Sequence, residues 1–183
     1  MGSCGLILGG SSSGKSMYAQ RLARSLAGTR PLYYLATMEP RDAEDHARVA
    51  KHRRERAGWG FETLEIPLEV GSAPTEGGIV LLDSLTALAA NAMFSPGGPG
   101  PEKAEDFLLR ELDCLIRRAE TVIAVSDDLF SDGGIYDEYT EAYRRLLGHL
   151  HRALAGRAKQ VTRLTLGIPV HWKEAAAWAR PIC

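Results

Sequence analysis

The feature that most constrains this chain is a glycine-rich loop close to its start. Residues 9–16 read Gly-Gly-Ser-Ser-Ser-Gly-Lys-Ser, which satisfies the pattern G-x-x-x-x-G-K-[ST]. The apolar run Leu6–Leu8 predicts a strand before the loop, and apolar residues at helical spacing predict a helix over about 14–27. A strand, such a loop and a helix in this order are typical of a phosphate-binding unit at the edge of a sheet.

Each residue type in the loop has a role in binding a triphosphate. The glycines permit the backbone angles with which several N–H groups face one anion, and the next helix directs its N-terminal dipole at the same point. Lys15 can reach the β- and γ-phosphates, and the Ser16 hydroxyl can ligate Mg²⁺. A chance Gly/Ser-rich turn before a helix is the alternative. The predicted nucleotide-binding residues of the loop are Gly9, Gly10, Ser11, Ser12, Ser13, Gly14, Lys15 and Ser16.

Short apolar runs alternate with helical patterns along the rest of the chain. This alternation predicts an α/β fold of the P-loop NTPase type, with a mostly parallel sheet and helices on both faces. A length of 183 residues fits one domain, residues 1–183, and a Pro/Gly-rich segment at about 95–101 is expected to be a mobile loop within it. The strand over 161–166 is expected to close the sheet. Other strands are predicted over 31–37, 61–66, 79–83 and 121–126, and other helices over 41–56, 84–94, 102–119 and 136–154.

Composition limits the partners of the chain. A formal net charge of -1 gives no indication of nucleic-acid binding, and the apolar runs are too short to span a membrane. Cys4, Cys114 and Cys183 lie far apart and form no CxxC pair, which favours a reducing, cytoplasmic compartment. His149 and His151 are two residues apart on a predicted helix, so we expect two surface residues rather than a metal pair.

A second part of the site is predicted at Asp83. This residue ends the apolar run Ile79–Leu82, which is typical of a buried strand. A carboxylate in this position can hold Mg²⁺ together with Ser16. Because Asp is also favoured at helix N-caps and a helix is predicted from residue 84, an N-cap role for Asp83 is the alternative.

Arg48, His52 and Arg56 are spaced i, i+4, i+8 in the predicted helix over 41–56 and would lie along one face. A neutral imidazole between two guanidinium groups suits attack on a phosphate, because the arginines can hold the negative oxygens. The flanking positive charge also disfavours protonation of the imidazole. Other basic residues crowd this segment, so a solvated basic face is the alternative.

Together, these motifs have a recognisable order along the chain. The phosphate loop is followed by the strand Tyr34–Thr37, the spaced arginines and histidine, the strand into Asp83, and then Thr86 and Asn91. In this order they resemble the bifunctional adenosylcobinamide kinase / adenosylcobinamide-phosphate guanylyltransferase family of cobalamin biosynthesis, over about residues 5–173. The histidine motif at its distance from the loop is the specific part, because many families share the loop.

The resemblance implies an enzyme with two activities. It would phosphorylate the aminopropanol hydroxyl of adenosylcobinamide, a corrinoid, with ATP or GTP, and then transfer GMP from GTP to that phosphate. GMP would pass through a covalent histidine adduct. Members of the family are homotrimers with active sites near the subunit interfaces. The catalytic residues implied are His52, Lys15 and Asp83, and the nucleotide-binding residues implied outside the loop are Arg48 and Arg56.

The C-terminal half departs from the family pattern. Where the family typically carries Asn-Glu-Val-Gly after the strand over 121–126, this chain has Asp127, Asp128, Leu129 and Phe130. Asp128 could replace the glutamate with a shorter reach. Two alternatives therefore stay open. One is a P-loop kinase with a single activity or another small-alcohol substrate, and the other is a nucleotide-binding paralogue without catalysis.

Overall fold

The chain forms a seven-stranded sheet with helices on both faces. The computed structural model describes residues 2–40, 47, 50, 54, 57–131 and 134–174. Within these residues, a short 3₁₀ helix lies at Val70–Ser72. The other elements are β1 (Ser3–Gly9), α1 (Lys15–Ala27), β2 (Leu32–Ala36), β3 (Glu62–Glu65), β4 (Ile79–Asp83), α2 (Leu85–Phe94), α3 (Ala104–Arg118), β5 (Thr121–Asp127), α4 (Glu138–Arg157), β6 (Gln160–Thr165) and β7 (Ile168–Lys173).

The order of the strands decides which residues meet at the carboxyl edge of the sheet. The order is β3-β2-β4-β5-β1-β6-β7, and every neighbouring pair is parallel except β6 and β7. Strand β5 therefore lies between β1 and β4. Gly9 is the register partner of Asp127, and Asp83 is the register partner of Val125. Because parallel strands end at the same edge, the phosphate loop and the ends of β4 and β5 share one edge of the sheet.

The sheet separates two apolar layers. Helix α1 covers one face and packs with Ile7 of β1, whereas Leu6 and Leu8 of the same strand face the layer that contains α2, α3 and α4. Burial of one such side chain stabilises the fold by about 1.5–3 kcal/mol. Because both faces are covered, the middle of each central strand is a continuous apolar run, which is why these strands could be predicted. The predicted α/β class, mostly parallel sheet and single domain are confirmed.

One strand of the sheet, β7, has no counterpart among the predicted elements. The expectation that residues 161–166 close the sheet is wrong, because β7 follows β6 and forms the edge strand. The chain reverses at Leu166 and Gly167, which have φ angles of 53° and 79°. A hairpin turn of this kind usually carries Asn or Asp before the glycine, and leucine at positive φ is uncommon. The sequence therefore lacked the usual hairpin signal.

The segment over 95–101 forms turns against the end of α2. The Gly98 amide donates to the Ser95 carbonyl at 2.9 Å, and the Gly100 amide donates to the Ala92 carbonyl at 3.1 Å. These contacts fix the path of the segment, and its mobility stays a prediction. Within the described part of the chain, none of the helices has the length and hydropathy of a membrane span.

Candidate phosphate-binding site

The predicted binding residues 9–16 begin at the last residue of β1, pass through a turn and end in the first two residues of α1. Gly14, with φ of 88°, precedes the first helical residue, Lys15. Glycine adopts this left-handed conformation without the steric penalty of other residues. Inside the loop, the Ser13 amide donates to the Gly10 carbonyl at 3.3 Å. The N-terminus of α1 therefore lies at the carboxyl edge of the sheet, as anion binding requires.

The start of the loop is closely packed. A Cβ atom on Gly9 would overlap Ser13 Oγ and would lie 3.0 Å from the carbonyl oxygen of Leu164. The same Ser13 Oγ is buried and has no hydrogen-bond partner among the described residues. An unpaired buried hydroxyl is costly, and in a loop of this sequence it suits a polar ligand.

Lys15 is held by two oxygens at the carboxyl edge. Its Nζ donates to the Gly10 carbonyl at 3.1 Å and forms an ion pair with Asp127 Oδ1 at 2.8 Å. The side chains of Lys15 and Asp127 are 13% and 32% exposed. The contact with Asp127 was not predicted, because strand order cannot be read from the apolar pattern. The sequence does place Asp127 directly after the strand predicted over 121–126, which is a signal for a carboxylate at the carboxyl edge of the sheet.

Asp83 stands at the end of β4, beside the loop that follows β2. The Tyr34 hydroxyl donates to Asp83 Oδ2 at 2.6 Å. The N-cap of α2 is Ser84, whose Oγ accepts from the Ala87 amide at 3.1 Å. The alternative that Asp83 is the helix N-cap is therefore wrong. Because the Tyr34 hydroxyl is a neutral donor, this contact does not neutralise the Asp83 carboxylate, which suits a cation ligand.

A chain of hydrogen bonds from α2 and α4 holds the end of β5. His151 Nε2 lies 2.8 Å from Ser126 Oγ, which lies 3.2 Å from Thr86 Oγ1. Thr86 Oγ1 accepts from the Asp127 amide at 2.8 Å, and the Thr86 carbonyl accepts from the Tyr143 hydroxyl at 2.9 Å. Thr86, recognised in the sequence as part of a family pattern, thus positions the backbone of Asp127.

The histidines of α4 have different environments. His149 is 44% exposed and lies 2.9 Å from a carboxylate oxygen of Glu105, so its predicted surface position is confirmed. The surface position predicted for His151 is wrong, because this residue is partly buried against Ser126. Burial lowers the pKa of His151 to about 4, although the nearby carboxylates of Asp128 and Asp127 act in the opposite direction.

Asn91 of α2 holds the segment that follows β2 in place by hydrogen bonds. Its side-chain amide is buried and donates to the carbonyls of Thr37 and Pro67 at 2.7 and 3.0 Å. A little further along, Glu39 accepts a 2.9 Å hydrogen bond from the Ser95 hydroxyl. These contacts fix the start of the segment at the carboxyl edge, close to Asp83.

The predicted basic helix follows that segment. Arg48, His52 and Arg56 lie outside the described residues, so their roles stay predictions. Of the predicted helix over 41–56, the structure describes the positions 47, 50 and 54, and all three are helical.

The carboxylate of Asp128 is engaged by residues of the turn after β5 and of β6, and its role as a substitute for the family glutamate stays a prediction. Its carboxylate forms a 2.6 Å ion pair with Arg163 and accepts hydrogen bonds from the Ser131 hydroxyl and the Phe130 amide. The Phe130 ring lies edge-on to His151, at 5.8 Å between ring centroids. Asp128 therefore holds the turn after β5, and Asp127 is the carboxylate at the phosphate loop.

Comparisons with known proteins bear on both fold and chemistry. A family model described as cobinamide kinase / cobinamide phosphate guanyltransferase matches residues 5–172. The chain is 33% identical over 173 residues to the bifunctional adenosylcobalamin biosynthesis protein CobP of Pseudomonas aeruginosa, covering 92% of this chain and 96% of CobP. The solved structure of the flagellar accessory protein FlaH from Methanocaldococcus jannaschii matches with a TM-score of 0.50 at 14% identity. That match covers 97% of this chain and 82% of FlaH, and it concerns the fold alone.

Proposed function

Because the chain belongs to the cobinamide kinase / cobinamide phosphate guanylyltransferase family, we propose that its phosphate loop and His52 carry the two reactions of that family. The enzyme phosphorylates adenosylcobinamide with ATP or GTP, and then transfers GMP from GTP to adenosylcobinamide phosphate. The observation that carries the proposal is the position of Lys15. Its ammonium group lies at the N-terminus of α1, on the same sheet edge as Asp83.

The loop binds the triphosphate in both reactions. Its backbone amides and the N-terminus of α1 supply fixed partial positive charge, and Lys15 reaches the β- and γ-phosphates. The buried Ser13 hydroxyl, unpaired among the described residues, supports a polar ligand at this turn. Ser16 and Asp83 supply hydroxyl and carboxylate oxygens, which are the ligand types that Mg²⁺ prefers. When bound there, Mg²⁺ neutralises charge on the phosphate oxygens.

The kinase reaction moves the γ-phosphoryl group to an alcohol. The hydroxyl oxygen of the aminopropanol group bonds to the γ-phosphorus, and the bond between that phosphorus and the β–γ bridging oxygen breaks. The hydroxyl proton passes to water. Lys15 and the loop amides stabilise the negative charge that develops on the transferred group and on the departing diphosphate. These groups are already oriented by the fold.

The guanylyl transfer uses a covalent histidine. One imidazole nitrogen of His52 bonds to the α-phosphorus of GTP, and pyrophosphate leaves. A phosphate oxygen of adenosylcobinamide phosphate then bonds to that phosphorus, and the N–P bond breaks. Arg48 and Arg56, four residues to either side of His52 in the sequence, hold the phosphate oxygens during both steps.

Product analysis tests the proposal. We expect adenosylcobinamide, GTP and Mg²⁺ to give first adenosylcobinamide phosphate and then adenosyl-GDP-cobinamide. The products are separated by chromatography and identified by mass spectrometry. Lys15→Met should abolish both products because the phosphates lose their cation. Lys159→Met is the matched control, since Lys159 is exposed and its backbone amide bonds to the Cys4 carbonyl.

Two other outcomes identify the alternatives. The phosphate product alone would identify a kinase with one activity. GTP binding without either product would identify a nucleotide-binding paralogue without catalysis, or a kinase for another small alcohol. Turnover of a panel of small alcohols with labelled ATP separates these last two.

The family resemblance also supports a homotrimer in the cytoplasm. The edge strand β7 exposes Ile168, Val170 and Trp172, which are 64%, 45% and 62% exposed, and such apolar residues suit a subunit contact. Light scattering should give about three times the chain mass of 19.9 kDa. A monomeric mass at micromolar concentration would contradict the trimer.

A further inference from the structure

The carboxylate of Asp127 is bonded to the ammonium group that loops of this type direct at a nucleotide. It lies 2.8 Å from Lys15 Nζ, the group that reaches the β- and γ-phosphates of a nucleotide in loops of this type. Asp127 is brought there because β5 is the direct neighbour of β1, with Asp127 opposite Gly9. An ammonium group bonded to one carboxylate has less of its charge available for a second anion.

The backbone that carries this carboxylate is fixed from two sides. The Asp127 amide donates to Thr86 Oγ1 at 2.8 Å, and the Asp128 amide donates to the Gly9 carbonyl at 3.1 Å. The backbone of Asp127 therefore stays in place when a ligand enters, and its carboxylate can move only by rotation of a short side chain, whereas the longer Lys15 side chain can reach further. A γ-phosphate must either draw Lys15 off Asp127 or share it with a nearby like charge.

Resting on the proposed function, we propose that Asp127 competes with the γ-phosphate of the bound nucleotide for Lys15. It thereby weakens binding of the triphosphate. It also bonds to Lys15 again when the nucleoside diphosphate or the pyrophosphate leaves. Asp127 is a specificity-determining residue in this account, because its effect depends on how many phosphates the nucleotide carries. Nucleoside monophosphates, which have no β- or γ-phosphate to engage Lys15, are unaffected.

The chain supplies a matched control one residue away. Asp128 carries the same charge, but its carboxylate is bonded to Arg163 at 2.6 Å and its side chain is 14% exposed. Asp127→Asn and Asp128→Asn change the net charge equally. A general electrostatic effect on nucleotide binding would appear in both variants, whereas competition for Lys15 would appear in Asp127→Asn alone.

Binding of a non-hydrolysable GTP analogue and of GMP, each with Mg²⁺, tests this proposal by calorimetry on the full chain. We expect Asp127→Asn to bind the GTP analogue about fivefold to tenfold more tightly, mostly through slower dissociation, with GMP affinity unchanged. Asp128→Asn should stay within about twofold of the wild type for both ligands. Asp127→Ser, which also removes the charge, should show the same tightening if the asparagine variant folds poorly.

Several results would overturn the proposal. Unchanged or weaker binding of the GTP analogue by both Asp127 variants would mean that the carboxylate assists the nucleotide. Equal tightening for GMP, or in Asp128→Asn, would mean a general charge effect. If the wild type binds no triphosphate, the proposed function fails as well, and this outcome is distinct because it appears without any substitution.

Discussion

The Tyr34 hydroxyl donates a 2.6 Å hydrogen bond to Asp83 Oδ2, joining side chains from the neighbouring strands β2 and β4. Tyr34 is 4% exposed and its ring packs edge-on against Phe61. The phenol is therefore held by packing, and it fixes the rotamer of a carboxylate that we propose to act beside the phosphate loop. A second hydroxyl, that of Thr37, fixes the next residue by donating to the Ser84 carbonyl at 2.7 Å.

Replacement of Tyr34 by phenylalanine should lower the rate of the kinase reaction. The variant keeps the ring and its packing but removes a hydrogen bond to a charged group, so we expect kcat of the kinase reaction to fall by about tenfold. The Mg²⁺ concentration for half-maximal rate should rise as well. Steady-state kinetics checks this, with Tyr139→Phe as the control because Tyr139 is 69% exposed. An unchanged kcat in Tyr34→Phe would exclude a positioning role for the hydroxyl.

The two glycines that begin the phosphate loop should respond differently to alanine. A Cβ on Gly9 would overlap Ser13 Oγ, whereas nothing lies within 4 Å of a Cβ on Gly10. We expect Gly9→Ala to lower the free energy of unfolding by about 2–3 kcal/mol and Gly10→Ala to change it by less than about 0.5 kcal/mol. Urea unfolding measures both values. Equal destabilisation of the two variants would contradict the packing described for the loop.

Stability should depend on pH through His151. The pKa of this residue is lowered from its ordinary value of 6.5 to about 4, so the unfolded chain binds the proton more readily than the folded chain. The free energy of unfolding therefore falls as pH decreases from about 6.5 to about 4, by about 2–3 kcal/mol from this residue. His151→Gln should remove that part of the pH dependence, and His149→Gln should leave it in place. The curves from urea unfolding between pH 4 and pH 7.5 decide this.

The sequence predicted the elements whose residue types are set by their local environment in the fold. The central strands could be predicted because burial on both faces gives each of them a continuous apolar run, and the loop could be predicted because phosphate binding limits its residue types. Strand order depends on contacts between distant segments. For this reason the sequence did not reveal that β5 lies beside β1 or that Asp127 meets Lys15.

The other differences have the same kind of cause. Helical periodicity places His151 on α4 but does not say that Ser126 and Phe130 cover it. The turn at Leu166 and Gly167 has none of the usual hairpin residues, so β7 was not predicted. Asn91 was recognised as part of a family pattern, and its bonds to two backbone carbonyls give that pattern a structural reason.

The central claim, that His52 carries GMP, is tested most directly by incubating the protein with α-labelled GTP and Mg²⁺ and then treating it with acid or alkali. The proposal predicts a protein-bound label that is acid-labile and alkali-stable, because a phosphoramidate has this behaviour. The label should be absent from His52→Ala and retained in His149→Ala, which removes an exposed histidine. Labelling of His52→Ala at the wild-type level, or a wild-type protein that binds GTP without incorporating label, would contradict the claim.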